Sequence, residues 1–255
     1  MSVPPEPPIR IGGVPYGVGA PLLLGLDEEP GLTLERAVPA DLVEALRAGR
    51  IDAALVSSVE AFRRPGYAAV DGVGICCRDE VKSVRAFRRV GADPIRTVGL
   101  TRDSEASVAL LKILLDGPLR AAADCRFERV ASTRQPDRLP HDLVLLIGDD
   151  GLHADPGERQ AIDLGAAWRA WTGLPFVFAL WLIRPGADAP RLARWLRAAR
   201  ERARPRPRSA EEGGVHYDLG ADERAGLERF RREAVRLGLV EPDLRPTFVG
   251  GREPG

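Results

Sequence analysis

At 255 residues the chain has room for one large α/β domain or two modest lobes. Lys plus Arg and Asp plus Glu are equal at 37 each, so the chain lacks the global basic field that nucleic-acid binding needs. The cysteines, Cys76, Cys77 and Cys125, are odd in number and include no CxxC pair, which speaks against a disulfide framework and a zinc site.

Residues 1–8 are proline-rich and expected to be disordered, with prolines where a signal peptide would carry its apolar core. No run reaches the ~20 apolar residues of a membrane span. The expectation is a cytoplasmic protein with neither membrane nor nucleic-acid partners. Ile9 to Val14 reads as a first strand, Pro15 to Ala20 as a glycine-rich loop, and Pro21 to Leu26 as one or two helical turns. Open α/β sheets bind ligands at the end of such a strand, and Gly17 and Gly19 let the backbone approach closely. The GxGxxG spacing of a dinucleotide site is missing. Leu32 to Ala37 alternates as a second strand. Pro39 to Gly49 reads as a helix, with Asp41 as N-cap, Glu44 completing a capping box and Gly49 as the stop. Ile51 to Val56 is a third strand delivering Ser57 and Ser58, which are either turn formers or ligand contacts on the rim of the first loop.

Further on, Tyr67 to Gly74 and Val81 to Phe87 are short strand candidates, and Pro94 to Leu100 is another strand. Ser104 is then an N-cap with Ser107 at the third position of an apolar helix. The free N–H groups there suit a carboxylate or phosphate, or else belong to an ordinary capped start. Asp103 and Glu105 count against an anion. Cys125 to Val130 and Leu143 to Gly148 read as strands. Asp149, at the end of the second, suits a ligand hydroxyl, a helix N-terminus or, least well, a metal. His141, His153 and His216 are scattered and read as surface or capping residues. Asp163 to Trp181 gives a helix bearing Trp168 and Trp171 that stops at Gly173, then an apolar strand from Phe176 to Ile183. That strand is apolar enough to be buried on both faces, as in a parallel sheet. Ala189 to Arg204 is an arginine-rich amphipathic helix with a solvated face, and Asp222 to Leu239 is the last helix.

The run of Ala48-Gly49, Ile51-Asp52, Leu55-Val56 and Ser57-Ser58 resembles the type II periplasmic-binding-protein fold, two α/β lobes around a ligand cleft. More specific are VPY with APLL, LVEALRAGRIDAALVSS, VDGVGI with VKSV, SVALLKILL, LVLLIGDD, DLGAAW, TGLPFVFALW and YDLGADERAGLERF. With these, the chain from Ile9 to Val240 resembles the chorismate dehydratases of the futalosine route to menaquinone. The resemblance implies a first lobe of residues 9–90 plus 176–240, a second lobe of 91–175, hinge residues Lys82 and Ser83, and a flexible tail over 241–255. It also implies a hydro-lyase acting on a small anionic substrate without metal or organic cofactor. Tyr16, Ser57, Ser83, Ser104, Ser107 and Asp149 are then the candidate substrate contacts, while no catalytic residue is singled out. The chain departs from the family wording at Val18, where an asparagine is usual, at Glu105 and Ala106, where arginine and threonine are usual, and around Cys76 and Cys77. The alternative is therefore a cytoplasmic binding homologue with an altered ligand. An exported transport protein shares the fold, but the N-terminus argues against it.

Overall fold

The computed structural model describes residues 8–15, 17–100, 104–203 and 214–251. Residues 1–7, expected to be disordered, and the candidate contact Tyr16 lie outside the described residues. In chain order come β1 (Ile9–Gly13), a 3-10 helix (Gly17–Leu23), β2 (Leu32–Arg36), α1 (Pro39–Arg47), β3 (Ala53–Ser57), a second 3-10 helix (Ser58–Phe62) and β4 (Ala68–Cys77). These are followed by β5 (Val84–Arg88), β6 (Ile95–Leu100), α2 (Glu105–Asp116), β7 (Ala121–Arg129), β8 (Leu143–Ile147), α3 (Gly148–His153), β9 (Gln160–Asp163) and α4 (Leu164–Thr172). The chain closes with β10 (Phe176–Ile183), α5 (Ala189–Ala203), β11 (Val215–Leu219), α6 (Ala221–Arg236) and β12 (Thr247–Val249). Among the described residues no helix is long and apolar enough to cross a membrane.

Strand pairing sorts the chain into two sheets. One has the order β11-β4-β10-β3-β1-β2, with β12 added on β4; the other runs β7-β6-β8-β5-β9. Two boundaries drawn from sequence move. β5 pairs antiparallel with β8 and β9, so the first crossing falls between Cys77 and Val84, short of residue 90. Thr247–Val249 pairs in parallel with Ala68–Val70, so the described part of the segment after Glu241 is tied to the first sheet.

The apolar strand β10 is buried along nearly its whole length, as its composition requires, but it runs antiparallel to both β3 and β4. The cause is topological: the chain re-enters the first sheet from the far side. Helix α1 also starts earlier than its polar residues suggest. Val38 is the N-cap and makes no side-chain cap bond, while Pro39 fills the first turn, where its missing N–H costs nothing.

Conserving the two crossings takes a compact set of side chains. Asp163 caps α4 by accepting from Ala166 N at 3.1 Å, and the same carboxylate accepts from Val81 N at 3.1 Å and Lys82 N at 2.7 Å. One residue thus ties the outgoing crossing to the helix that leads to the return. Two positions later, a Cβ on Gly165 would stand 2.4 Å from Asp79 O, so only glycine lets that crossing pass. On the return, Gly173 takes the left-handed conformation, and Trp168 Nε1 donates to Pro175 O at 3.1 Å. Phe176 packs edge-on against Trp168 and Phe230, with centroids 5.5 and 5.0 Å apart, so α4, β10 and α6 share one aromatic cluster. Such pairs add about 0.5–1.5 kcal/mol each beyond burial. Buried Glu223 accepts from Gly220 N at 3.0 Å and from Arg78 Nε at 3.1 Å, fixing the start of α6 to the outgoing crossing.

Candidate functional site

A cavity of about 670 Å³ lies between the sheets, where β1, β3 and β8 end. Its walls come from the first loop, the outgoing crossing, the start of α2, the β8–α3 junction and Phe178-Ala179 of β10. Ser57, Ser83, Ser104, Ser107 and Asp149, the candidate contacts named from sequence, all line it. Each is held differently. Ser57 closes β3 opposite Ala179, whereas its neighbour Ser58 is buried and donates to Val177 O at 2.6 Å. Of that serine pair, one faces the cavity and the other braces β10. Ser83 N donates to Val81 O at 2.7 Å, and Ser83 O accepts from Gly148 N at 2.8 Å, which pins the β8–α3 junction to the crossing.

At the start of α2 the expected cap is present. Ser104 Oγ accepts from Ser107 N at 3.4 Å and from Ser107 Oγ at 3.1 Å, giving a hydroxyl pair at the positive end of the helix. Glu105 does not line the cavity. Its carboxylate meets Arg63 at 3.2 Å and Arg129 at 3.5 Å, so two arginines offset its charge outside the cleft. The repulsion expected from Glu105 is therefore weakened. Ala106 is fully buried. Val18 does line the cavity, and its carbonyl accepts from the Tyr217 hydroxyl at 3.0 Å. Cys76 and Cys77 are buried at the end of β4. Burial pushes both thiols up, Cys77 to about 12.

Asp149 is the second residue of α3, and its side chain has no protein partner among the described residues; its carbonyl meets His153 Nδ1 at 3.0 Å. Asp150, beside it, accepts from the Ser132 hydroxyl and from Arg134 Nε at 3.2 Å. Arg134 is the single cation among the described residues of the cavity wall. Sequence reading missed both Asp150 and Arg134. The six-residue helix begins with Gly148-Asp149-Asp150-Gly151, which reads as a turn, and Arg134 lies in a loop without periodicity. Two histidines read as surface residues are buried instead: His141 Nε2 meets Glu128 at 3.0 Å, and His216 Nε2 lies 3.4 Å from Glu223.

Two α/β sheets joined by paired crossings, with a cavity bearing polar side chains at the ends of their parallel strands, define the type II periplasmic-binding-protein-like fold. Solved structures of that kind overlay it. They include an ABC transporter protein of Parabacteroides distasonis (TM-score 0.61, 13% identity, 97% of this chain and 100% of the other). Another is the alkanesulfonate-binding protein of Xanthomonas axonopodis pv. citri bound to MOPS (TM-score 0.58, 14% identity, 94% and 96% covered). At the sequence level, residues 9–213 match a family described as menaquinone biosynthesis. The chorismate dehydratase of Thermus thermophilus is 32% identical over 268 residues, covering 91% of this chain and 96% of that protein. A Campylobacter jejuni chorismate dehydratase is 33% identical over 150 residues, 57% of this chain and 51% of that one. The chain belongs to the chorismate dehydratase family of menaquinone biosynthesis.

Proposed function

We propose that the protein is a cytoplasmic lyase that dehydrates chorismate to 3-[(1-carboxyvinyl)oxy]benzoate on the futalosine route to menaquinone. The observation that carries this reading is the convergence of Ser57, Ser83, Ser104, Ser107 and Asp149 on one cavity, in a chain that spans 96% of a dehydratase relative. The reaction takes a hydrogen from the ring carbon bearing the enolpyruvyl ether and the hydroxyl from its neighbour. The C–H and C–O bonds break, a C=C bond forms, water leaves and the ring becomes aromatic. Aromatisation supplies the driving force, so the protein's task is to hold a dianion and direct proton removal.

In this reading the α2 start, with Ser104 and Ser107, receives one substrate carboxylate. Ser57 and Ser83 hydrogen-bond the ring substituents, and Asp149 accepts from the ring hydroxyl. Tyr16 joins them on the strength of the resemblance. We take the two sheets as the cores of two lobes that close over the substrate and shed its water. A second reading rests on Val18, an apolar side chain in the cavity wall: a homologue that retains the fold and binds a different small anion. Purified protein incubated with chorismate decides between them. Release of 3-[(1-carboxyvinyl)oxy]benzoate, followed by liquid chromatography, supports the dehydratase. No turnover of chorismate, with saturable binding of a different small ligand, supports the second reading, and activity gained by Val18→Asn would locate the cause in the first loop.

A further inference from the structure

We propose that Arg134 is the carboxylate anchor of the cleft, a guanidinium held ready by Asp150 for a bidentate grip on an anionic ligand. This rests on the cleft being the ligand site, as argued above. Three acidic or basic side chains are present among the described residues of the wall: Asp149, Asp150 and Arg134. That set carries one excess negative charge, so Arg134 is the one full positive charge available to a ligand carboxylate, beside the partial positive end of α2. The serines offer hydrogen bonds but no charge.

The guanidinium has one protein partner, and the backbone that carries it is tied down on either side. Its Nε donates to Asp150 Oδ1 at 3.2 Å, and the Ser132 hydroxyl holds the other oxygen of the same carboxylate. The Arg134 carbonyl accepts from Asp155 N at 2.9 Å, tying the loop to the segment after α3. Gln135 N donates to Thr133 Oγ1 at 3.1 Å, which shapes the loop on either side of the arginine. The two Nη groups have no protein partner among the described residues, and the side chain is 57% exposed. An arginine whose Nε is anchored by a carboxylate and whose terminal fork is open has the geometry that carboxylates accept in parallel pairs. Anchoring in advance reduces the rotamer entropy lost on binding. Asp150 is therefore a positioning residue for Arg134, while Arg134 touches the ligand.

The test measures binding by calorimetry for wild type, Arg134→Gln, Arg134→Lys and Asp150→Asn. The probes are chorismate, 3-hydroxybenzoate as a monoanion and benzamide as a neutral ring of similar size. Arg134→Gln is expected to weaken chorismate and 3-hydroxybenzoate roughly 10- to 100-fold, the range for loss of a charged hydrogen-bonding partner. Benzamide affinity stays within twofold. Arg134→Lys recovers part of the loss, because it restores charge but not the fork. Asp150→Asn gives a smaller loss, restricted to the two anions. Where the wild type turns chorismate over, the Arg134→Gln defect falls on KM more than on kcat. Anion affinity within twofold of wild type in Arg134→Gln overturns the proposal, as does an equal loss for benzamide. Wild-type protein that binds chorismate without releasing product sinks the dehydration reading alone, since the affinity ratio still decides the anchor. Wild-type protein that binds neither anion overturns the anchor.

Discussion

Replacing Asp163 by alanine removes three backbone hydrogen bonds at once, from Ala166, Val81 and Lys82. Loss of the α4 cap costs about 1 kcal/mol. Each bond from the crossing to a charged acceptor contributes about 1.5 kcal/mol, the low end of the range for charged groups, because the site is only partly buried. Water reaches some of the freed N–H groups and returns about 1 kcal/mol, leaving a net loss of about 3 kcal/mol. For a chain of this size that corresponds to a fall in melting temperature of roughly 6–12 °C. Asparagine is expected to fall between the two: it keeps one acceptor oxygen but turns an NH2 toward one of the crossing amides. Urea unfolding followed by circular dichroism gives the free energy, and hydrogen exchange reads the Val81 and Lys82 amides separately. An alanine variant within 1 kcal/mol of wild type, with unchanged protection at those amides, would refute the argument that Asp163 holds the crossing.

Three further outcomes follow from packing and titration. Gly226→Ala would bring a Cβ to 2.0 Å from Pro175 O, and backbone cannot yield cheaply. After about 1 kcal/mol of helix propensity gained, we expect a net loss of about 2 kcal/mol in chemical denaturation. Burial pushes Glu223 up, but Arg78 and the Gly220 N–H outweigh it and hold the carboxyl below its ordinary 4.5. A depressed carboxyl stabilises the fold above the unfolded value and loses that contribution as pH falls through the folded one. Glu223→Gln should therefore be about 1–3 kcal/mol less stable than wild type at pH 7, with the gap closing below about pH 4.5 in melts across pH. Burial raises all three thiols, Cys77 to about 12, and Cys125 is the one with surface exposure. Native protein treated with Ellman's reagent at pH 8 should label slowly at Cys125, with Cys76 and Cys77 reacting only after unfolding.

Much of the site was legible because strand ends and helix caps leave local signatures. Ser57 follows an apolar strand and Ser104 precedes an apolar helix, and both positions survive in the structure. What local pattern could not supply was direction and long-range approach. The composition of β10 demanded burial but carried no information about which way its neighbours run, since that depends on where the chain comes back from. Helix α1 begins at Pro39 because proline geometry outweighed the acidic cap candidate two residues later. Arg134 was hidden for the opposite reason. It takes its place from contacts to Asp150 and Asp155, sixteen and twenty-one positions on by number, and no periodicity links them.

The position of β10 also sets an order of assembly. Every strand of the second sheet lies between Val84 and Asp163, so that sheet can close from one uninterrupted stretch of chain. The first sheet cannot, because β10 separates β3 from β4 and is made long after both. During synthesis, the facing edges of β3 and β4 remain open until residues 176–183 have left the ribosome. Such edges are templates for wrong pairing. The part of the chain made first is thus finished last, and damage to β10 would show in the yield of soluble protein before it showed in any property of the purified fold.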